Sequence, residues 1–196
     1  MSKITAGGDG EPRPTDRTLN RSEQQMNDVQ QHTAEHTAEP VLTRAATAER
    51  LTDAPGSLIT LLADSDRTGN ALTCNRATFE KGAAGAPAHF HTRATEFFFV
   101  LDGTLRMLVG EEIATLHKGD FLAVPPGTPH AFAPAPGATA DVLVAFSPGM
   151  DRFDYYRLLD RVNRGEATVQ DIKDSAERYD NHYVDSPVWR AACDER

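Results

Sequence analysis

The chain has 196 residues, of which 39% are hydrophobic, and a formal net charge of −9 at pH 7 with the histidines neutral. This acidic balance argues against a nucleic-acid surface, and no apolar run is long enough for a membrane span. The N-terminus has no apolar secretory segment and the cysteines, Cys74 and Cys193, lie far apart, so we expect a cytoplasmic protein without a disulfide scaffold.

Composition divides the chain into three parts. Residues 1–40 are rich in Gly, Pro, Thr, Glu and Gln, and they contain too few large apolar side chains to offset the entropy of ordering, which predicts a flexible, disordered polar tail. Short apolar stretches separated by turn signals predict a β-barrel over residues 41–148. Helical patterns then predict a C-terminal helical extension over residues 149–196.

The middle part predicts many short strands. "SLITLLA" (57–63) and "NALTCNRATFE" (70–80) come first, and "ADVLVAFS" (140–147) closes the series. Asp102-Gly103 between "EFFFVL" and "TLRMLV" predicts a hairpin that pairs Glu96 with Val109 and Phe98 with Met107. The pattern as a whole predicts an all-β fold, a sandwich or a barrel of the jelly-roll type.

Two short helices are predicted after Pro148. Apolar residues recur at helical spacing from Phe153 to Val162, and Gly165 follows as a C-terminal cap. Thr168 and Asp171 stand in capping-box positions for the second helix. The pattern leaves open whether these helices form a lid, a dimer contact or plain packing.

Histidines and one glutamate suggest a metal site. Alternation along a strand puts His89 and His91 on one face, while Glu96 enters on the next strand among apolar neighbours, where an unpaired carboxylate would be costly. His130 follows the Pro126-Gly127 turn and heads another strand. Three imidazoles and one carboxylate suit one divalent transition metal ion such as Zn, Fe, Ni, Co or Mn.

These residues stand in two motifs that resemble those of the cupins. "HFHTRATEFFFVLDG" has the spacing His-x-His, four residues, Glu, six residues, Gly, and "GDFLAVPPGTPH" has Gly, five residues, Pro-x-Gly, two residues, His. The resemblance implies a cupin barrel whose metal ligands are His89, His91, Glu96 and His130. Ala83 and Pro134 depart from the usual Gly and Asn, and neither departure removes a ligand.

The predicted interior wall is apolar and aromatic. Phe98, Met107 and Phe132 are the candidate substrate-binding residues, and a wall of this kind favours a flat, hydrophobic ligand. The alternative is that these side chains simply fill the barrel.

From about Val41 to Trp189 the layout is similar to that of single-cupin quercetin 2,3-dioxygenases. That resemblance implies a dioxygenase in which a flavonol hydroxyl binds the metal, Glu96 accepts its proton, and dioxygen opens the ring with loss of carbon monoxide. Three alternatives stay open: a cupin-type polyketide cyclase that uses zinc, another metal-dependent tailoring enzyme, or a non-catalytic cupin that binds an aromatic ligand.

The opposite face of the strand that carries Glu96 is also apolar. Phe97, Phe99, Leu101 and Leu108 need a cover, which terminal helices or a second subunit could supply. We expect a homodimer, with no nucleic-acid or membrane partner.

Overall fold

The structure, a computed structural model, describes residues 39–194; all but the end of the predicted tail over residues 1–40 lies outside this range. The strands within it are β1 Arg50–Ala54, β2 Ser57–Ala63, β3 Thr73–Phe79, β4 Ala86–Phe90, β5 Thr95–Val109, β6 Glu112–His117, β7 Phe121–Val124, β8 His130–Pro134, β9 Ala140–Ser147 and β10 His182–Tyr183. The helices are α1 Phe153–Asn163, α2 Val169–Asp174, α3 Ala176–Tyr179 and α4 Pro187–Asp194. No helix in the described range is long and apolar enough to cross a bilayer.

The long strand β5 belongs to two antiparallel sheets. Its first half pairs with β9 and β7, and β9 continues through β3 and β2 to β1. Its second half pairs with β6 and β8, and β8 continues through β4 to β10. The curled sheet encloses the main core, and the predicted all-β fold is confirmed.

The predicted hairpin at Asp102-Gly103 is wrong, because β5 continues through these residues without a chain reversal. Asp102 lies opposite Asp141 and Gly103 lies opposite Ala140 of β9, so Glu96 pairs with Phe146 and not with Val109. A Cβ on Gly103 would lie 2.1 Å from the backbone oxygen of Thr139. Glycine is therefore required here by its positive φ of 78° and by the close approach of the backbone that leads into β9, and not by a hairpin turn.

The inward-facing residues of β5 nevertheless form one apolar set. Phe98, Val100, Leu105 and Met107 are buried in the main core, and Val109 packs against it. Simple alternation would put residues 100 and 105 on opposite faces. The register shift between Val100 and Asp102 restores the common face, as a β-bulge does.

The C-terminal extension contains more elements than the two predicted helices. The first predicted helix is α1, and Gly165 follows it with a positive φ of 74°. The second is α2, whose capping box between Thr168 and Asp171 is present. The pattern did not predict α3, β10 or α4. Helices α1 and α2 pack on β1 and β2, whereas Trp189 of α4 packs against Leu108 on the outer face of the barrel.

Within residues 39–194, only part of the outer apolar face of β5 is covered. Leu108 is fully buried beneath α4, but Phe99 is 39% exposed and Phe121 on the neighbouring β7 is 62% exposed. The rings of Phe97 and Phe121 stack with their centroids 5.9 Å apart.

Candidate metal centre

The four residues predicted as metal ligands lie together inside the barrel. His89 is on β4, His91 follows that strand directly, Glu96 is on β5 and His130 begins β8. Pairing of β4 with β8 puts His89 opposite His130. All four side chains are buried, and one ligand atom from each lies within 4.8 Å of the others.

Backbone carbonyls fix the orientation of the three imidazoles. Nδ1 of His89 lies 2.8 Å from the carbonyl oxygen of Pro87, and Nδ1 of His130 lies 2.9 Å from that of Thr128. Nδ1 of His91 is in contact with the carbonyl oxygen of Asp180. A carbonyl oxygen only accepts, so each Nδ1 must donate a hydrogen. A neutral ring then keeps its lone pair on Nε2, the tautomer that metal-binding histidines adopt.

Two of the Nε2 atoms face the carboxylate. Oε2 of Glu96 lies 3.0 Å from Nε2 of His91 and 2.6 Å from Nε2 of His130. A carboxylate oxygen and an imidazole lone pair are both acceptors, so they need a shared cation between them, either a proton or a metal ion.

The electrostatics favour the protonation states that metal ligands need at Glu96 and His89. Burial by itself would raise the pKa of Glu96, but the charges and hydrogen bonds of His130 and His91 hold it well below its usual value. Burial, together with the neighbouring His130 and His91, lowers the pKa of His89 well below its usual value. Glu96 is therefore ionised and His89 neutral at pH 7. Burial by itself would lower the pKa of His130, but the charge and hydrogen bond of Glu96 raise it, so this imidazole would have to release a proton to bind a metal.

This donor set fits a divalent transition metal. Three imidazole nitrogens and one carboxylate oxygen converge in a buried space where an unbalanced carboxylate would be costly. Borderline divalent ions bind such a mixture of nitrogen and oxygen ligands, and zinc, iron, nickel, cobalt and manganese all fit these side chains.

A cavity of about 380 Å³ lies next to the cluster, with His89 and Glu96 in its wall. Much of the remaining wall is apolar, and these residues are Ala54, Ile59, Ala77, Phe79, Ala86, Pro87, Phe132, Val144, Leu159, Val169 and Ile172. The three candidate substrate-binding residues differ in their position relative to this cavity. Phe132 lines the cavity, while Phe98 and Met107 do not line it and are fully buried in the core. The ring of Phe98 packs behind Phe132 with their centroids 5.1 Å apart.

Polar residues of the cavity were missed by the sequence patterns. Asn75 comes from β3, whereas Arg152, Tyr156, Asn181 and Tyr183 come from the C-terminal extension. The hydroxyl of Tyr156 donates to Oδ1 of Asn75 at 2.9 Å. Tyr155 and Tyr156 pack α1 onto the barrel, as helix residues of this kind usually do, and they line the cavity as well. The segments "RFDYY" and "DNHY" contain the tyrosines that could have indicated the part of this polar wall that comes from the C-terminal extension.

The antiparallel barrel with its buried His/Glu cluster has the cupin fold. The Cupin domain family matches residues 75–146, which span β3 to β9 and contain all four cluster residues. Over this segment the chain is similar to the Cupin domain family.

Solved structures are similar to this one at low sequence identity. The structure of KdgF from Halomonas sp. is similar with a TM-score of 0.51 and 23% identity, covering 58% of this chain and 97% of that one. The polyketide cyclase RemF from Streptomyces resistomycificus gives a TM-score of 0.47 and 18% identity, covering 55% of this chain and 79% of that one.

One curated relative is matched in sequence. "Oxidoreductase iacF" from Pestalotiopsis fici is 36% identical over 63 residues, which are 32% of this chain. The match spans 31% of that relative's length.

Proposed function

We propose that this protein is a metal-dependent dioxygenase that cleaves a flavonol-like aromatic substrate. The observation that carries the proposal is that the His/Glu cluster lies in the wall of a cavity whose lining is largely apolar and aromatic. Its volume of about 380 Å³ is within the range of sites for small organic ligands. The matched relative that is named an oxidoreductase agrees with redox chemistry at the level of the class.

His89, His91 and His130 would hold the ion, and their carbonyl-bound Nδ1 atoms keep Nε2 directed at it. A divalent ion bound there would supply Lewis acidity and coordination positions for a substrate oxygen and dioxygen. None of the three histidines then needs an acid–base role.

Glu96 is the group that would accept a proton from the substrate. Its carboxylate is ionised, fully buried and on the cavity wall, beside the ligands His91 and His130. The proton of an acidic hydroxyl bound in the cavity could therefore pass directly to the Glu96 carboxylate.

The cavity wall would orient a flat substrate. The rings of Phe79 and Phe132 meet edge to face with centroids 6.1 Å apart, and both line the cavity. Apolar side chains here exclude water from the reacting centre, which strengthens the electrostatic interactions inside it.

The test is turnover of quercetin in air by protein reconstituted separately with nickel, cobalt, manganese, iron and zinc. The proposal expects loss of the flavonol absorbance, consumption of dioxygen and release of carbon monoxide with at least one metal, and no turnover under nitrogen. Glu96→Gln should lower the rate at least 100-fold, because general-base catalysis contributes about 10²- to 10⁴-fold.

Other outcomes would favour other functions. Conversion of a polyketide-type aromatic precursor without dioxygen consumption would support a cyclase. Tight binding of the metal and of flavonols without conversion of any substrate would support a non-catalytic binding protein.

A further inference from the structure

We propose that Arg152, positioned by Asn181, forms an oxyanion-binding subsite in the cavity beside the His/Glu cluster. The ligand of this cavity would then carry an acidic oxygen, as a phenolate, enolate or carboxylate, in addition to the group that reaches the metal centre. The inference deepens the proposed function and rests on it for the statement that the ligand is a substrate. The subsite itself rests only on the contacts around Arg152.

Arg152 is a buried cation in the cavity wall. Arg152 is only 3% exposed, although its guanidinium carries a full charge at every physiological pH. The guanidinium carbon lies 4.3 Å from the ring centroid of Tyr155 and 5.0 Å from that of Phe146. These stacked rings fix the plane of the guanidinium and so pre-organise it.

The hydrogen bonds of this guanidinium go to neutral acceptors. One terminal nitrogen donates to the carbonyl oxygen of Tyr179 at 3.1 Å, and the other donates to Oδ1 of Asn181 at 3.2 Å. Nε of Arg152 and Nδ2 of Asn181, which is itself 2% exposed, make no hydrogen bond of good geometry. Each of these two residues therefore has an unused donor.

The described residues contain no carboxylate in a salt bridge with Arg152. Asp53 also lines the cavity, but it lies more than 4 Å from the guanidinium, and burial raises the pKa of its carboxyl. A buried cation without a bonded anion is costly, and a ligand oxyanion would offset that cost.

The net charge of the cavity also favours an anionic ligand. Arg152, Lys173 and a bound divalent ion contribute four positive charges. Glu96 and an ionised Asp53 contribute two negative charges, so the loaded cavity carries a net charge of about +2 when the histidines are neutral. One substrate oxygen at the metal centre leaves about one positive charge unbalanced. A second anionic oxygen next to Arg152 would neutralise it.

The test compares 2-naphthoate with 2-naphthamide, which match in shape and differ in charge. Isothermal titration calorimetry of the zinc-loaded full chain should show that 2-naphthoate binds at least tenfold more tightly than 2-naphthamide. Arg152→Gln should remove about 10- to 100-fold of the affinity for the acid and leave the affinity for the amide within twofold. The control is Arg157→Gln on α1, the helix that follows Arg152, since Arg157 pairs at the surface with Glu49 and Asp154.

A second measurement needs no substitution and guards against an unfolded variant. After removal of zinc by a chelator, wild-type protein should still prefer the acid, because Arg152 remains. Loss of the preference with the metal would show that the metal centre alone binds the carboxylate, and equal binding of acid and amide in loaded wild-type protein would also overturn the subsite. Neither readout uses turnover, so failure of the flavonol assay leaves this result interpretable.

Discussion

The backbone carbonyl oxygen of Asp180 accepts a hydrogen bond from Nδ1 of His91, a residue 89 positions earlier in the chain. The side chain of Asp180 accepts from the backbone amides of Thr92 and Arg93 at 2.9 Å each and from the Thr92 hydroxyl at 2.7 Å. The C-terminal extension is therefore attached to the loop that carries a predicted metal ligand. It orients His91 as well as covering the barrel.

We expect Asp180→Ala to weaken zinc binding about 10- to 100-fold, because groups that orient ligand histidines have effects of this size. Asp180 has a positive φ of 50°, which Asn tolerates well, so Asp180→Asn should lose less affinity than Asp180→Ala. Competition of the protein with a chromophoric chelator for zinc measures the affinity. Asp154→Asn, at an exposed position on α1, serves as the control. Equal zinc affinity in wild type and Asp180→Ala would show that the attachment plays no part in the metal centre.

The same carboxylate should contribute to the acid stability of the fold. Burial would raise the pKa of Asp180, but the hydrogen bonds from Thr92, Arg93 and His182 lower it to about 2. Because an unfolded Asp has a pKa of about 3.9, the stabilisation is fully present above that pH and is lost as the pH falls toward 2. Urea unfolding of metal-free wild type and Asp180→Asn between pH 3 and 6 measures it. The free-energy difference between the two proteins should be constant from pH 5 to 6 and shrink below pH 4, and a difference that grows on acidification would contradict the assignment.

Zinc should raise the melting temperature of the wild-type protein, and His89→Ala should lose most of this increase. The metal-free fold should not depend on His89. The hydrogen bonds of Glu96 go to His91 and His130, so His89→Ala leaves the buried carboxylate its partners. Saturation at about 100 times the dissociation constant adds about 2.7 kcal/mol to the free energy of unfolding. Differential scanning calorimetry with and without zinc should show this shift in wild type and in the surface control His117→Ala. A full zinc shift in His89→Ala would exclude His89 as a ligand.

The two phenylalanines predicted to contact substrate should behave differently. Phe98 is fully buried behind Phe132, so Phe98→Ala should lower the free energy of unfolding by about 3–5 kcal/mol. Phe132 lines the cavity, so Phe132→Leu should mainly weaken the binding of flavonols. Urea unfolding and flavonol fluorescence titration separate the two effects. An unchanged flavonol affinity in Phe132→Leu would remove this residue from the substrate site.

The sequence predicted those parts of the fold and site that depend on local patterns. The spacing of the motifs predicted the cluster of His89, His91, Glu96 and His130, because strand alternation and short turns determine where these side chains point. Asp102-Gly103 misled because the local turn signal was overridden by pairing with β9 more than 35 residues later. The position of Arg152 depends on how α1 docks on the barrel. That docking is a long-range packing result, so no spacing within the sequence could predict a cation beside the His/Glu cluster.

The homodimer stays a prediction, and the outer face of the barrel, which the described residues leave partly exposed, indicates where to test it. Phe97, Phe99 and Phe121 form a partly exposed aromatic patch, with Phe121 62% exposed, and burial of such a patch in a second subunit would be favourable. Sedimentation equilibrium of the full chain at micromolar concentration should give twice the mass of 21.4 kDa. Phe121→Ser should shift the protein toward monomer, whereas Ile113→Ser, which alters an exposed apolar residue on β6, should leave the mass unchanged. A monomeric wild type would contradict the prediction, and a dimer that tolerates Phe121→Ser would place the interface elsewhere.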